Sequence, residues 1–420
     1  LAGNTLAVDS GTVTHSGIMQ GNAGLTLNST ALNVLAGAQL LSDGELAING
    51  GAVTNAGSWQ GNSLTFGVDS LDNSGSINAR SNLTGTVLNT LQNSGQMGSL
   101  GTLNLSGGYL TNSGKLVASR LTLDAATLNN TGLWQGSEWL NAHGDTLTLG
   151  ASSRTLAGGA LSLNAGQLSS EGLVQSGQTH VTATSWLNRG SLLGSDSLAV
   201  NITDELVNEG SLLSQGNSEI QAQTLTNDGA VLSDGSLSLA GATLNNQGAV
   251  QGNILNLTQN LVNNAGTLIG LQSLTLGIQA FSVPLLTLVN GSQGSLLTQG
   301  TLSVNGSTVT NDGRWQGQQI LLNAQTLNNS GAIQSADALQ MALSGALNST
   351  AGSKITANGA AALQAQSLTN AGQWLAKNLT LHADTLNNQG EISGVDGLTV
   401  ALSGDFTQQQ DKTLLTAGDL

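Results

Sequence analysis

The stretch Leu327-Asn-Asn-Ser-Gly-Ala-Ile333 decides the fold. Within it an apolar residue, an Asn, a Gly and a second apolar residue follow one another at intervals of two. The same order returns as Val53-Thr-Asn-Ala-Gly-Ser-Trp59, Leu128-Asn-Asn-Thr-Gly-Leu-Trp134, Leu244-Asn-Asn-Gln-Gly-Ala-Val250 and Leu386-Asn-Asn-Gln-Gly-Glu-Ile392. Sixteen copies run from the one at Gly17 to the one at Gly390, and eleven of the fifteen steps between their glycines are 18 to 20 residues. The other steps are 40, 40, 41 and 47 residues, each about two periods. A fixed period near 19 residues means one supersecondary unit repeated along an axis.

All sixteen copies are apolar four residues before the Gly and two residues after it. Two before the Gly stands Asn in fourteen copies: Asn55, Asn73, Asn93, Asn112, Asn130, Asn188, Asn208, Asn227, Asn246, Asn264, Asn311, Asn329, Asn370 and Asn388. His15 and Ser170 are the exceptions. Between the motifs runs apolar-x-apolar, as in Leu121-Thr-Leu123, Leu237-Ser-Leu239 and Leu379-Thr-Leu381. Period-two alternation with Thr and Ser outside reads as short strands with one buried face. The Asn-x-Gly step reads as a tight turn, because Gly and Asn tolerate positive φ. No helical stripe persists, and the glycines would break one.

Three strands of three to five residues per period make a triangular coil. The expected fold is therefore all-β, a right-handed parallel β-helix of about 20 coils, the hand following from the general crossover preference. At about 4.8 Å per coil this is a rod on the order of 95 Å long. Residues 1–420 are expected to form a single continuous array. The Asn column is expected to stack as an amide ladder with a structural role. One coil buries about four or five apolar side chains at about 1.5–3 kcal/mol each. Fixing its backbone costs about 1–2 kcal/mol per residue, so a coil stands only among neighbours.

Composition agrees. Charged residues are 8% of the chain, against the usual quarter, so Ser, Thr, Asn and Gln must cover the surface. The net charge of −15 and the lack of a basic run disfavour nucleic acid as a partner. There is no cysteine, which excludes disulfides and thiolate metal sites and suits a chain exported unfolded. No stretch of 18 apolar residues offers a membrane span, and no signal peptide opens the chain. Leu1 begins in mid-pattern and Leu420 ends close to it, as expected of an internal piece of a longer protein.

Departures from the period are the places to look for function. A longer polar turn separates Leu32 from Leu40, Leu149 from Leu156, Leu288 from Leu296, Leu347 from Ile355 and Phe406 from Leu414. These five turns explain the double-length steps and raise the count to about 21 coils. Residues 277–297 stretch the period further and hold the only proline, Pro284, with Phe281 beside it. Proline is excluded from central strands, so a loop insertion is expected here. Phe281, Pro284 and Asn290 are its candidate contact residues, since loops on rigid scaffolds carry function. Trp59, Trp134, Trp315 and Trp374 share the register of the interior site after the Gly, so packing is favoured over a sugar platform. Trp139 and Tyr109 are expected to point outward. Asp204, Glu205 and Glu209 hold the carboxylates a glycosidase needs, yet no His, Arg or aromatic signal accompanies them. His143, His180 and His382 are isolated, and His15 reads as a packed residue. Phosphate-loop, dinucleotide, zinc-protease and calcium-loop motifs are absent. No cofactor, metal or catalytic residue is expected.

The units Leu327-Asn-Asn-Ser-Gly-Ala-Ile-Gln-Ser335, Leu244-Asn-Asn-Gln-Gly-Ala-Val-Gln-Gly252 and Leu128-Asn-Asn-Thr-Gly-Leu-Trp-Gln-Gly136 resemble the repeats of filamentous haemagglutinin. That family comprises exoproteins of two-partner secretion systems, among them adhesins and contact-dependent growth inhibition proteins. The resemblance covers nearly the whole chain and is specific for the repeat class. It implies a secreted, cell-surface stalk, exported through an outer-membrane two-partner transporter, that presents a receptor-binding or toxin region to a cell-surface receptor. The family's secretion domain and toxin domains do not appear in this stretch. Two other readings are a direct adhesin whose side loops bind glycan or protein and, less well supported, a polysaccharide-degrading enzyme on the same fold.

Overall fold

The computed structural model describes residues 1–278 and 286–418. One coil shows how the repeat folds. Gln319–Asn329 and Ala332–Ser335 are strands along which burial alternates. Ile320, Leu322, Ala324, Leu327, Asn329, Ile333 and Ser335 are inside. The alternation slips once, where Gln325 and Thr326 both lie outside the core. That slip carries the chain round a corner with no turn, so the first two sides of the coil form one eleven-residue strand where two short ones were expected. Ser330-Gly331 makes the second corner and Ala336-Asp337-Ala338 the third.

Stacking puts like above like. Gln319–Asn329 pairs in parallel with Thr301–Asn311, from Thr301↔Gln319 to Asn311↔Asn329. On its other edge it pairs with Leu339–Leu343 and Ala346–Ser349. Ala332–Ser335 lies between Arg314–Gly317 and Lys354–Gln364. Val309, Leu327, Leu347, Leu368 and Leu386 thus form one interior column, each buried to 1% exposure or less. Burying each such side chain contributes about 1.5–3 kcal/mol, and a coil without neighbours would forfeit much of it.

The repeated glycines have a different cause from the one expected. The glycines with positive φ are Gly37, Gly50, Gly241, Gly277 and Gly352, none of them a glycine of the repeat. A Cβ on Gly331 would instead lie 2.1 Å from the carbonyl oxygen of Gly313, the same position one coil earlier. Gly95, Gly114, Gly229 and Gly248 meet the preceding motif glycine at 2.0 Å in the same way. Close approach of stacked corners excludes a side chain there.

The chain divides into two compact units, Leu1–Thr203 and Asp204–Leu420. Each is an all-β parallel solenoid with the near-19-residue period, ten coils in the first and eleven in the second, and no helix among the described residues. No helix of the described residues is long and apolar enough to cross a membrane.

Gly331→Ala is expected to lower stability by about 1–3 kcal/mol through overpacking against Gly313. Gly67→Ala, whose Cβ would find its nearest atom at 3.9 Å, is expected to cost nothing measurable. Denaturant midpoints of the two variants check this.

Candidate functional site

The most ordered chemistry in the molecule is the buried amide column. In the first unit Asn55 Nδ2 donates to Asn73 Oδ1 at 2.7 Å, Asn73 to Asn93 at 2.7 Å, Asn93 to Asn112 at 2.7 Å and Asn112 to Asn130 at 2.8 Å. In the second unit the chain of donors runs Asn208, Asn227, Asn246, Asn264, Asn290, Asn311, Asn329, with every step 2.7–2.8 Å. Asn370 donates to Asn388 at 3.0 Å, and Asn388 to Gln408 Oε1 at 3.0 Å. The same amide nitrogens also reach the carbonyl of the motif glycine, as Asn112 does to Gly114 at 3.2 Å. A carboxamide has a donor and an acceptor on opposite sides, so a stack of identical amides satisfies itself.

The column continues through Asn290 in one coil with the longer turn but is interrupted in three others. Val34, Leu149 and Ser349 occupy the Asn position in three of the coils with the longer turn. Asn130 Nδ2, which faces Leu149, is buried without an acceptor. The longer turns close on themselves: Ala38 N donates to Leu35 O at 3.0 Å, Ser153 N to Gly150 O at 2.8 Å, Gly294 N to Gly291 O at 2.8 Å and Ser353 N to Thr350 O at 3.2 Å. A corner closed by its own backbone no longer needs the Asn side chain. Gly37 and Gly352 take φ of 81° and 83° at the third position of two of these turns, where positive φ favours glycine.

Each of these four turns lies beside a tryptophan. Leu40 pairs with Trp59, Thr155 with Trp134, Leu296 with Trp315 and Ile355 with Trp374. All four indoles are at most 1% exposed. Beside each of these longer corners the interior site is filled by the largest side chain. Trp374 Nε1 donates to Ser349 Oγ at 2.9 Å, and Trp186 Nε1 to Ser170 Oγ at 2.9 Å. Trp59 has the same relation to Val34 that Trp374 has to Ser349, and its Nε1 has no acceptor. These tryptophans are core. Trp139 is half-buried and Tyr109 is 59% exposed.

The other candidate residues do not assemble into a reaction centre. Phe281 and Pro284 lie outside the described residues. Asn290, expected on a contact loop, is instead fully buried in the amide column, because Leu286–Asn290 is a strand of the solenoid that precedes the longer turn. Asp204, Glu205 and Glu209 are exposed. His15 Nε2 lies 3.0 Å from Gln39 O, and His143, His180 and His382 are exposed and apart. Among the described residues no group of three His, Asp or Glu side chains is placed to hold a metal ion. Arg120 donates to Glu138 at 2.7 Å. This hydrogen bond, with a second from Ser119 and the guanidinium charge, holds the Glu138 carboxyl below its ordinary range. The contribution of that exposed pair is present above the unfolded carboxylate pKa and is lost as pH falls through the lowered folded value. A shallow outer groove in the first unit runs past Gln20, Gln60, Asn78 and Gln96, with Arg80 3.9 Å from Asp43 and Leu100 at its rim.

The architecture defines a repeat solenoid whose polar order is internal. The haemagglutinin repeat family model matches residues 1–66, 194–276, 267–340, 334–410 and 374–420, and the chain belongs to that family. It is similar to the 16S rRNA endonuclease CdiA of Enterobacter cloacae subsp. cloacae, with 47% identity over 345 residues, 80% of this chain and 10% of that protein. It is 42% identical over 311 residues to the tRNA nuclease CdiA of Escherichia coli, covering 74% of this chain and 9% of that protein. To the deoxyribonuclease CdiA of Dickeya dadantii it is 37% identical over 306 residues, 72% of this chain and 9% of that protein. The chain thus spans about a tenth of the length of these relatives, and what it represents is a repeat region. No solved structure matches it significantly.

Substitutions in the amide column and at the tryptophan sites test the interior polar order. Asn311→Ala removes the acceptor of Asn290 and the donor of Asn329, and is expected to cost about 1–3 kcal/mol for each group left without its partner. Ser349→Val, which strips Trp374 of its acceptor, is expected to cost about 1–3 kcal/mol, whereas Val34→Ser offers Trp59 the acceptor it lacks and should cost less than Leu327→Ser. Denaturation curves and the tryptophan emission of each variant check both.

Proposed function

We propose that this chain is a stalk segment of a secreted cell-surface exoprotein of the contact-dependent growth inhibition type, holding a receptor-binding or toxin region away from the producing cell. One observation carries the reading. The segment is shared, at 37–47% identity, by relatives named for three different nucleic-acid targets: 16S rRNA, tRNA and DNA. A segment common to nucleases of unlike target does not choose the target, and we assign it no catalytic activity of its own. Its order is spent on stacking: the interior polar groups bond to one another, and each coil is completed by its neighbours.

Export follows from the same construction. The partner in secretion is an outer-membrane two-partner transporter, and coils that add one at a time outside the pore favour outward movement. The lack of cysteine leaves no disulfide to form on the way. Recognition of a receptor on the target cell is assigned to other parts of the exoprotein. Direct adhesion by this segment is the second reading, favoured by the outer groove beside Arg80 and Leu100.

Deletion of one whole period, residues 230–248, from the full-length exoprotein is expected to keep surface display and toxin delivery within a few-fold. Deletion of half a period, residues 230–239, is expected to abolish both by breaking register. Purified chain is expected to show no saturable binding to target cells. Saturable binding that disappears when residues 277–297 are shortened to the regular period, or when Arg80 and Leu100 are replaced, would establish an adhesin instead.

A further inference from the structure

We propose that the third side of the coils between Ser211 and Thr298 is an interface at which two copies of this chain lie side by side. Five strands stack there in parallel, beginning at Ser211, Ala230, Ala249, Thr267 and Ser295. Their outward residues pair as Leu213↔Leu232, Leu232↔Gln251, Gln251↔Ile269 and Ile269↔Leu297. Four of the five rungs therefore present an aliphatic side chain outward, each half-buried by the rungs beside it. The companion outward column is made of Ser, Ala and Thr only. At the adjoining corner Ile254 and Leu271 are 37% and 38% exposed.

In the other coils the second column is more often polar than aliphatic, as at Gln60, Gln316 and Ser393, and at Val117, Leu156 and Leu375, where it is aliphatic, the first column beside it is Lys115, Arg154 or Gln373. Burial does not explain the change, because these positions face outward in every coil.

Charge identifies the occupant. The second unit carries fourteen acidic residues against four basic, a net charge of −10, yet residues 235–311 contain no Asp, Glu, Lys, Arg or His. Two copies approaching sideways repel wherever acidic surfaces meet. Three of the five rungs, those of Gln251, Ile269 and Leu297, lie in this uncharged stretch, while Asp228 and Asp234 flank the rung of Leu232. A face whose rungs repeat at about 4.8 Å also matches its own spacing, which a second copy supplies rung for rung. Five rungs of four-residue strands offer about 300 Å², below the roughly 800 Å² per partner of a stable complex. The pairing is therefore weak and concentration-dependent. It does not rest on the stalk reading, since it concerns only the chain's own surface.

Sedimentation equilibrium of the 420-residue chain over a wide concentration range tests it. A reversible dimer is expected that tightens in high salt, because screening removes the acidic repulsion while apolar contact persists. The triple variant Leu232→Gln, Ile269→Gln, Leu297→Gln is expected to weaken the dimer by about tenfold or more. It should remain folded by circular dichroism, since Gln60, Gln135, Gln175, Gln251 and Gln316 occupy the same outward column. Ala249→Glu is a second variant, at the position Glu391 holds in its own coil; it places two carboxylates in the contact and should also abolish the dimer. A chain that stays monomeric at every concentration and salt overturns the proposal. So does a dimer whose affinity neither variant changes.

Discussion

In a stacked solenoid every interior side chain has its counterpart directly above and below, one strand spacing away. A buried polar group is then most readily accommodated when it can bond to a copy of itself. Leucine meets this condition through packing. Asparagine meets it because its carboxamide donates on one side and accepts on the other. Serine, with a single rotatable hydroxyl, meets it when something else supplies a partner, as Trp374 does for Ser349 and Trp186 for Ser170. The amide column is the strictest consequence of the stacking geometry, and the glycine column beside it follows from the same closeness, each glycine lying against the carbonyl of the last.

The coils with the longer turn show what happens when this constraint is relaxed. A corner that closes its own backbone hydrogen bond releases the Asn position, and Val34, Leu149 or Ser349 can stand there. Trp59, Trp134, Trp315 or Trp374 stands beside such a corner on the adjoining coil. Turn and tryptophan are one structural unit split across two coils and separated by about one period of sequence. The cost is visible at Trp59, Trp134 and Trp315, whose indole nitrogens are buried without an acceptor. Such groups cost about 1–3 kcal/mol each, so large side chains are held at these sites despite an imperfect polar fit.

Function in such a molecule is divided between an interior that repeats and a surface free to vary. The amides, leucines and glycines inside are committed to stacking. Outward positions carry no such obligation, which is why the same column can be Gln60 in one coil, Leu232 in another and Gln316 in a third. A repeat region shared by nucleases of different target fits this division: its inward residues specify the scaffold, and its outward residues are where one stalk can differ from another.

The sequence by itself determined the fold class, the period, the near-19-residue register and the identity of the amide column, because each interior position repeats and its chemistry is visible in any one copy. It also marked the five longer turns by their spacing. Several features were decided only by the tertiary structure. Asn290 sits in the amide column because Leu286–Asn290 pairs with Leu261–Asn264, which no local motif signals in a stretch without the Asn-x-Gly step. The glycine requirement arises from a carbonyl one coil away and not from local backbone conformation. The pairing of each longer turn with a tryptophan, and the gathering of Leu213, Leu232, Ile269 and Leu297 on one outer face, join residues one or more periods apart. Local pattern fixes what a position must be; only stacking fixes which position it must be next to.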